Sequence, residues 1–341
     1  MEKALLNILT PAYNCEKYIS NLLNSILCQT YPLIEMYVID DGSTDQTADI
    51  IRSYTKPFAD KGYKLHYIYQ KNQGQSAAIN NGLKLLNGEF LVWPDSDDWY
   101  ATPDALEKMV EKLSNTDDCV GILRCGYNRI DESTQSIVRL DLPHQEVLDK
   151  LFERNVTRVN NDVWLEPGGW MIKLKFLDKI IPNREIYHSK MTGQNTQILW
   201  PYFYCTYAIA IREPLFNYLI RSNSHSRNKF TDIEYKIEQQ EEFYNTYCAV
   251  INGISQIKDG QKTYYYKCLE TSKYKDLTWV ALSYGNSIYY QKFYKLWRKS
   301  AINNNIPPSM TFIYYLSFIP FLFNFIYAIK SLKKFKNAVK N

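Results

Sequence analysis

The chain has 341 residues, 45% hydrophobic, 15% aromatic and 22% charged, with 13 Gly and 13 Pro; this globular composition excludes a disordered chain, a collagen and a small disulfide scaffold. Seven cysteines (15, 28, 119, 125, 205, 248, 268) form no CxxC pair and no zinc spacing, and Met1–Thr10 shows no secretory leader, so reduced cytoplasmic thiols are expected. The net charge of +4 is uneven: residues 291–341 hold nine Lys/Arg and no Asp or Glu, leaving 31 basic against 36 acidic residues in 1–290. The basic stretch flanks an apolar run, which favours a membrane surface over nucleic acid as its partner.

Taken in chain order, the first hundred residues alternate strand and helix. Leu5–Thr10 is an apolar run ending in Pro11, a strand; Glu16–Leu27 has apolar residues at 18, 19, 22, 23, 26 and 27, the spacing of an amphipathic helix. Glu35–Ile39 is a strand ending in Asp40-Asp41-Gly42-Ser43, and Thr44–Tyr54 a helix capped by Ser43 or Thr44. Leu65–Tyr69 is a strand, Ser76–Leu86 a helix, and Phe90–Trp93 a strand running into Asp95. A helix at Ala105–Leu113 and a strand at Cys119–Tyr127 follow, and residues 232–300 read as mostly helical. Such alternation predicts an α/β fold with a doubly wound, mainly parallel sheet, which binds ligands at the carboxyl ends of its strands. Polar clusters stand at three of those ends: Thr10–Asn14, Asp40–Ser43 and Asp95–Asp98.

Asp95-Ser96-Asp97-Asp98 sets carboxylates close together in a loop, where their repulsion is relieved by a shared cation. Mg²⁺ or Mn²⁺ suits oxygen ligands and often takes one or two carboxylates plus substrate phosphates. A solvated acidic loop capping the helix after Pro103 is the alternative reading.

Thr10-Pro11-Ala12-Tyr13-Asn14, Val38-Ile39-Asp40-Asp41-Gly42-Ser43-Thr44-Asp45, Asn72-Gln73-Gly74-Gln75-Ser76-Ala77-Ala78 and Asp95-Ser96-Asp97-Asp98, in this order, resemble the family 2 glycosyltransferases, which have a GT-A fold. The likeness is dense over about residues 3–110 and thins out to about 227. It implies that Thr10, Pro11, Tyr13 and Asp41 hold the nucleotide base, that Asp95 with Ser96 contacts the donor ribose, and that Asp97 binds Mn²⁺ or Mg²⁺. A carboxylate can accept the N3–H of a uracil, a Tyr ring can stack on it, and a cation offsets the charge of a departing diphosphate. Tyr13 as simple packing and Asp41 as a helix cap are the bland alternatives.

Two positions depart from the family pattern. Ile79 stands where an Arg is common, and Gly193-Gln194-Asn195 stands where the family has an acidic pair whose Asp is the catalytic base. An amide has no basic lone pair, so Asn195 cannot take a proton. Gln194 and Asn195 are then expected to orient an acceptor hydroxyl or to cap a helix, with Asp98, Asp162, Glu166 and Glu185 as unranked candidates for the base. Gly168-Gly169-Trp170 looks like an acceptor-side loop, in which Gly169 allows close approach and Trp170 stacks on a sugar, or else a tight turn with a core Trp. Arg221–Arg227 resembles the segment that closes the family's catalytic domain near the pyrophosphate, where His225 is a candidate ligand of metal or phosphate.

Beyond Pro307-Pro308, Phe312–Ile329 is eighteen residues without a charge, broken by Pro320 and followed by a lysine-rich end. As a helix it would reach about 27 Å, barely a membrane crossing, and its basic flanks favour a re-entrant or in-plane arrangement. The expected organisation is a catalytic domain at 1–227, a helical region at 228–308 and a membrane-associating tail at 309–341. The expected function is metal-dependent, inverting transfer of a sugar from a UDP-linked donor to a glycan or lipid-linked acceptor at the inner face of the cell membrane, in surface-polysaccharide assembly. A catalytically silent nucleotide-sugar-binding module and a sugar nucleotidyltransferase are the rival readings; the latter would want a Gly-rich, basic phosphate loop after the first strand, which Thr10–Asn14 is not.

Overall fold

The computed structural model describes residues 3–157, 165–189, 191–221 and 232–304. Strand and helix alternate as expected: β1 (Leu6–Ala12), α1 (Ile19–Leu27), β2 (Ile34–Asp40), α2 (Thr47–Ser53), α3 (Thr55–Asp60), β3 (Lys64–Tyr69), α4 (Gln75–Leu83) and β4 (Phe90–Val92). Next come β5 (Trp99–Tyr100), α5 (Ala105–Ser114), β6 (Val120–Asp131), β7 (Ile137–Asp141), β8 (Val147–Leu148), α6 (Leu151–Thr157), β9 (Trp170–Lys173), α7 (Leu177–Ile180), α8 (Asn195–Cys205) and β10 (Tyr207–Ile220). Contacts divide the described chain into two units, one of residues 3–152 with 165–221 and one of residues 153–157 with 232–304.

In the first unit the strands form one mixed sheet in the order β3-β2-β1-β4-β9-β6-β10-β5, with β7 beside β6 and β8 beside β10. The pairs β1–β2, β2–β3, β1–β4 and β6–β10 are parallel, whereas β9 runs against both β4 and β6. Val92 lies opposite Met171. The residues just before β9 therefore come to the same edge as those just after β4. β1 and β2 are buried along their whole length, as strands covered on both faces must be. α1 buries Ile19, Leu22, Leu23 and Ile26, and α5 buries Leu106, Met109, Val110 and Leu113, each an i, i+3, i+4, i+7 stripe.

The helix starts differ from expectation because side chains compete for the first backbone groups. α1 begins at Ile19, not Glu16, whose N–H donates to Asp45 Oδ2 (3.1 Å) while its own carboxylate accepts the Gln46 N–H (3.0 Å). α2 begins at Thr47, so neither Ser43 nor Thr44 caps it; the Thr44 N–H donates to Asn14 Oδ1 (2.8 Å).

The second unit holds α9 (Ile233–Gly253), α10 (Asp259–Ser283) and α11 (Ser287–Asn303). Asp232 and Asn286 cap α9 and α11, accepting the Tyr235 and Tyr289 N–H groups at 2.7 and 3.0 Å. Leu277, Leu282, Tyr290, Phe293, Tyr294 and Trp297 form its core. Among the described residues no helix is long and apolar enough to cross a membrane; Phe312–Ile329 and the basic tail lie outside them.

Candidate functional site

Three segments that leave β1, β2 and β3 are stitched into one floor. Asn14 donates its N–H to Ser43 Oγ (3.0 Å) and accepts from Thr44. Asp41 Oδ1 accepts from Gln70 Nε2 (2.7 Å) and the Gln73 N–H (2.9 Å), and Oδ2 accepts the Gly74 N–H (2.8 Å), so this carboxylate holds the loop leading into α4. Gly42 turns between them at φ +82°, and a Cβ there would lie 2.9 Å from the Asn72 nitrogen, so only glycine fits. Asp40 is fully buried and takes the Ser43 N–H and the Tyr67 hydroxyl. Of the residues expected to hold a base, Asp41 is 4% exposed, its Oδ2 taking only the Gly74 N–H among the described residues, and Tyr13 is 52% exposed. Thr10 and Pro11 are corrected: their side chains are buried in the strand layer, and the Thr10 hydroxyl has no partner among the described residues.

Beyond β4 lies the acidic loop. Asp95 Oδ1 accepts from Gln75 Nε2 (3.0 Å), at the start of α4, and from Gln194 Nε2 (3.3 Å), just before α8. Burial, reinforced by the charge of Asp97, pushes its carboxyl up to about 7. Asp97 Oδ2 pairs with Arg221 Nη2 at 2.6 Å. Burial raises Asp97 while Arg221 opposes the rise. The Arg221 guanidinium also lies over the Tyr18 ring (4.7 Å), and the Tyr18 hydroxyl donates to Glu132 (2.6 Å). Ser96 lies near the Cys15 thiol, which burial raises and which accepts the Thr47 hydroxyl at 3.8 Å. Asp98 is 1% exposed; its Oδ1 accepts the Leu219 N–H (2.9 Å) and its Oδ2 has no partner among the described residues. Asp98 is thus enclosed and holds β10, which corrects the expectation that it meets substrate; burial and its two acidic neighbours keep it well above the usual range.

Gln194 is 1% exposed and committed to Asp95, so it ties α8 to the acidic loop and does not orient an acceptor. Asn195 opens α8, and its Oδ1 is buried without a partner among the described residues. Trp170 is 1% exposed, against Phe203 at 5.1 Å and beneath Arg124, so it is a core ring closed to any sugar. Gly168 presses on Phe216, where a Cβ would meet the ring at 2.0 Å; Gly169 is buried, and a Cβ there would meet nothing nearer than 3.9 Å. Asp162 and His225 lie outside the described residues.

Of the polar set behind this turn, sequence reasoning named Glu166 but missed its partners. The Tyr127 hydroxyl donates to Glu166 Oε2 (3.1 Å), Arg129 pairs with Asp141 (2.6 Å) and reaches Glu166 (3.8 Å), and Arg139 pairs with Asp141 (2.9 Å). The available signal was two arginines in the otherwise largely apolar β6, both under 8% exposed. Among the described residues no group of three His, Cys, Asp or Glu is placed to hold a metal by itself. Asp95 and Asp97 are instead two desolvated carboxylates in one loop.

The family model described as "Glycosyl transferase family 2" matches residues 7–181. An uncharacterized glycosyltransferase of Rickettsia typhi is 37% identical over 133 residues, 39% of each chain. TuaG of Bacillus subtilis, whose name ties it to teichuronic acid biosynthesis, is 38% identical over 110 residues, 32% of this chain and 42% of that one. The chain thus spans about two fifths of the length of these curated relatives. Among solved structures, S. aureus TarS 1–349 in complex with UDP-GlcNAc superposes with a TM-score of 0.61 at 16% identity, over 97% of this chain and 92% of that one. A mannosyltransferase of Pyrobaculum calidifontis in complex with GDP-Man and Mn²⁺ gives 0.51 at 17% identity, over 96% and 88%. At such identity the likeness is one of fold, and that fold is GT-A.

Proposed function

The chain belongs to glycosyl transferase family 2 and is a glycosyltransferase; from that premise we propose that it transfers a sugar from a UDP-linked donor to a glycan or lipid-linked acceptor, with a divalent cation at the acidic loop. The observation that carries this reading is the convergence of the floor around Asp41 and the loop Asp95–Asp97 at one edge of the sheet, joined through α4 by Asp41 to Gly74 and by Gln75 to Asp95. Tyr13 stacks on the base and Asp41 accepts its N3–H. Asp95 and Ser96 meet the ribose. The solved GT-A complexes that hold UDP-GlcNAc, and GDP-Man with Mn²⁺, support a nucleotide-sugar and a cation as the ligands.

The residues fit a cation. Asp95 is pushed up to about 7 by burial and by Asp97, so the loop carries more negative charge than it can solvate. Mn²⁺ or Mg²⁺ would be held by Asp97, with diphosphate oxygens completing the set, in keeping with a site that lacks three protein ligands. His225, proposed as a further ligand, lies outside the described residues. The bound cation would supply Lewis-acid stabilisation of the diphosphate. Arg221, already on Asp97, adds a second positive charge at the same place.

We place the acceptor at a cytoplasmic membrane face, because nine Lys/Arg without an acidic residue and an apolar run occupy 291–341. Surface-polysaccharide assembly is the setting, supported by the name of TuaG. Mass spectrometry of products from a panel of nucleotide sugars, incubated with membrane extract, tests the reading. A hexose or N-acetylhexosamine from a UDP donor appearing on a lipid or glycan is expected; no product from any UDP donor would refute it.

A further inference from the structure

A transferase of this kind must take a proton from the acceptor hydroxyl, and Asn195 offers no base. The structure ranks the carboxylates that could replace it. Asp98 is 1% exposed and one of its oxygens is spent on the Leu219 N–H. Asp95 is bound by two amides and Asp97 by Arg221. Glu185 pairs with Lys84, the residue that ends α4 (2.9 Å); α4 starts at the carboxyl edge of the sheet, so Glu185 is at the opposite end.

Glu166 differs from all of these. β9 is antiparallel to β4, with Val92 opposite Met171 and, on the other side, Arg124 opposite Trp170. Followed backwards from Trp170, the chain passes through the turn Pro167–Gly169 to Glu166, at the sheet edge where the residues after β4 also emerge. The charge of Glu166 is close enough to contribute to the rise of Asp98. Its side chain is 11% exposed, so it is enclosed without being sealed. The Tyr127 hydroxyl fixes Oε2, while Arg129 stands 3.8 Å from Oε1 with its nearer pairing to Asp141 at 2.6 Å. A carboxylate held by the Tyr127 hydroxyl, flanked by Arg129 and not sealed from solvent has the form of a positioned base.

We propose that Glu166 is the base of the transfer reaction. The inference rests on the sugar-transfer reading above. The acceptor hydroxyl oxygen forms a bond to the anomeric carbon, the bond from that carbon to the phosphate oxygen breaks, and the nucleoside diphosphate leaves with the electron pair. The hydroxyl proton passes to the Glu166 carboxylate. Burial raises this carboxyl, partly offset by its own backbone N–H, Arg129 and Tyr127, which moves it toward the pH at which a base works best.

The test measures UDP release from UDP-linked sugars, with water or membrane extract as acceptor, across pH. Glu166→Gln, which keeps an acceptor for Tyr127, is expected to lower kcat by about 100-fold or more, with the donor KM within about threefold. The fall of rate on acidification, present in the parent, should vanish from the residual activity. Glu166→Asp keeps the charge but withdraws it by one methylene, so a tenfold or greater loss with a shifted acid limb is expected even should the Gln variant fail to fold. A parental kcat and unshifted limb in either folded variant would overturn the proposal, as would loss of that limb in Asp162→Asn instead. UDP release by the parent keeps these outcomes separate from the donor reading: a parent that hydrolyses no UDP-sugar overturns the donor reading and this inference together.

Discussion

The buried carboxyl of Asp95 works against folding when it is charged. Its carboxyl is raised by burial and by Asp97 from 3.8 to about 7, so between those values the folded protein binds the proton that the unfolded chain releases. Stability of the metal-free protein therefore falls as pH rises from about 4 to 7 and is flat above. Asp95→Asn removes the penalty, with an upper bound of ~4 kcal/mol. In EDTA at pH 8 the variant should melt several degrees above the parent, and at pH 4 the two should coincide; a variant that melts lower at pH 8 would show that the acidic loop is not strained by its charge. The identity of this residue was legible in the sequence because Asp-x-Asp at a strand end is a local pattern. Its partners Gln75 and Gln194 were not, since they are 20 and 99 residues away. Thr10 and Trp170 misled for the opposite reason: a motif gives the residue type, while burial is decided by strands far along the chain.

At the scale of elements, the turn before β9 sets the height of Glu166, and its two glycines are not equivalent. A methyl on Gly168 would lie 2.0 Å from Phe216, which is fully buried and meets Tyr100 edge-on at 5.4 Å; a methyl on Gly169 would meet nothing nearer than 3.9 Å. Gly168→Ala should cost about 1–3 kcal/mol by overpacking and reduce transfer as the turn shifts. Gly169→Ala should leave the melting temperature within a degree or two. Equal melting temperatures for both variants would contradict the packing described for this turn. The βαβ units before it were readable from apolar spacing, as in α1, whose buried stripe is its own period. β9 was not readable: four residues carry no period, and its place between β4 and β6 is fixed only by pairing with both. The end of β6 was likewise hidden: the strand expected to stop at Tyr127 continues through Arg129 to Asp131, because β7 pairs with it from Tyr127 opposite Asp141 to Ile130 opposite Ile137.

On the scale of the whole molecule, the acidic body and basic tail predict different partners for the two ends of the chain. Residues 1–290 carry 36 acidic against 31 basic residues, a net charge that an anionic surface repels weakly, whereas 291–341 hold nine Lys/Arg and no Asp or Glu. Each Lys or Arg near such a surface contributes roughly 1 kcal/mol, screened over a Debye length of about 8–10 Å. Truncation after Pro308 should therefore leave UDP binding intact, release the protein from membranes in a flotation gradient, and lower transfer to lipid-linked acceptors. A truncated chain that still floats would place the anchor elsewhere. The central claim, that the acidic loop and the Asp41 floor form one donor site, is tested most directly by calorimetric titration of UDP into the parent and Asp97→Asn, each with and without Mn²⁺. The account predicts that Mn²⁺ tightens UDP binding to the parent at least tenfold and leaves the variant unchanged; equal Mn²⁺-dependent tightening in both would contradict it.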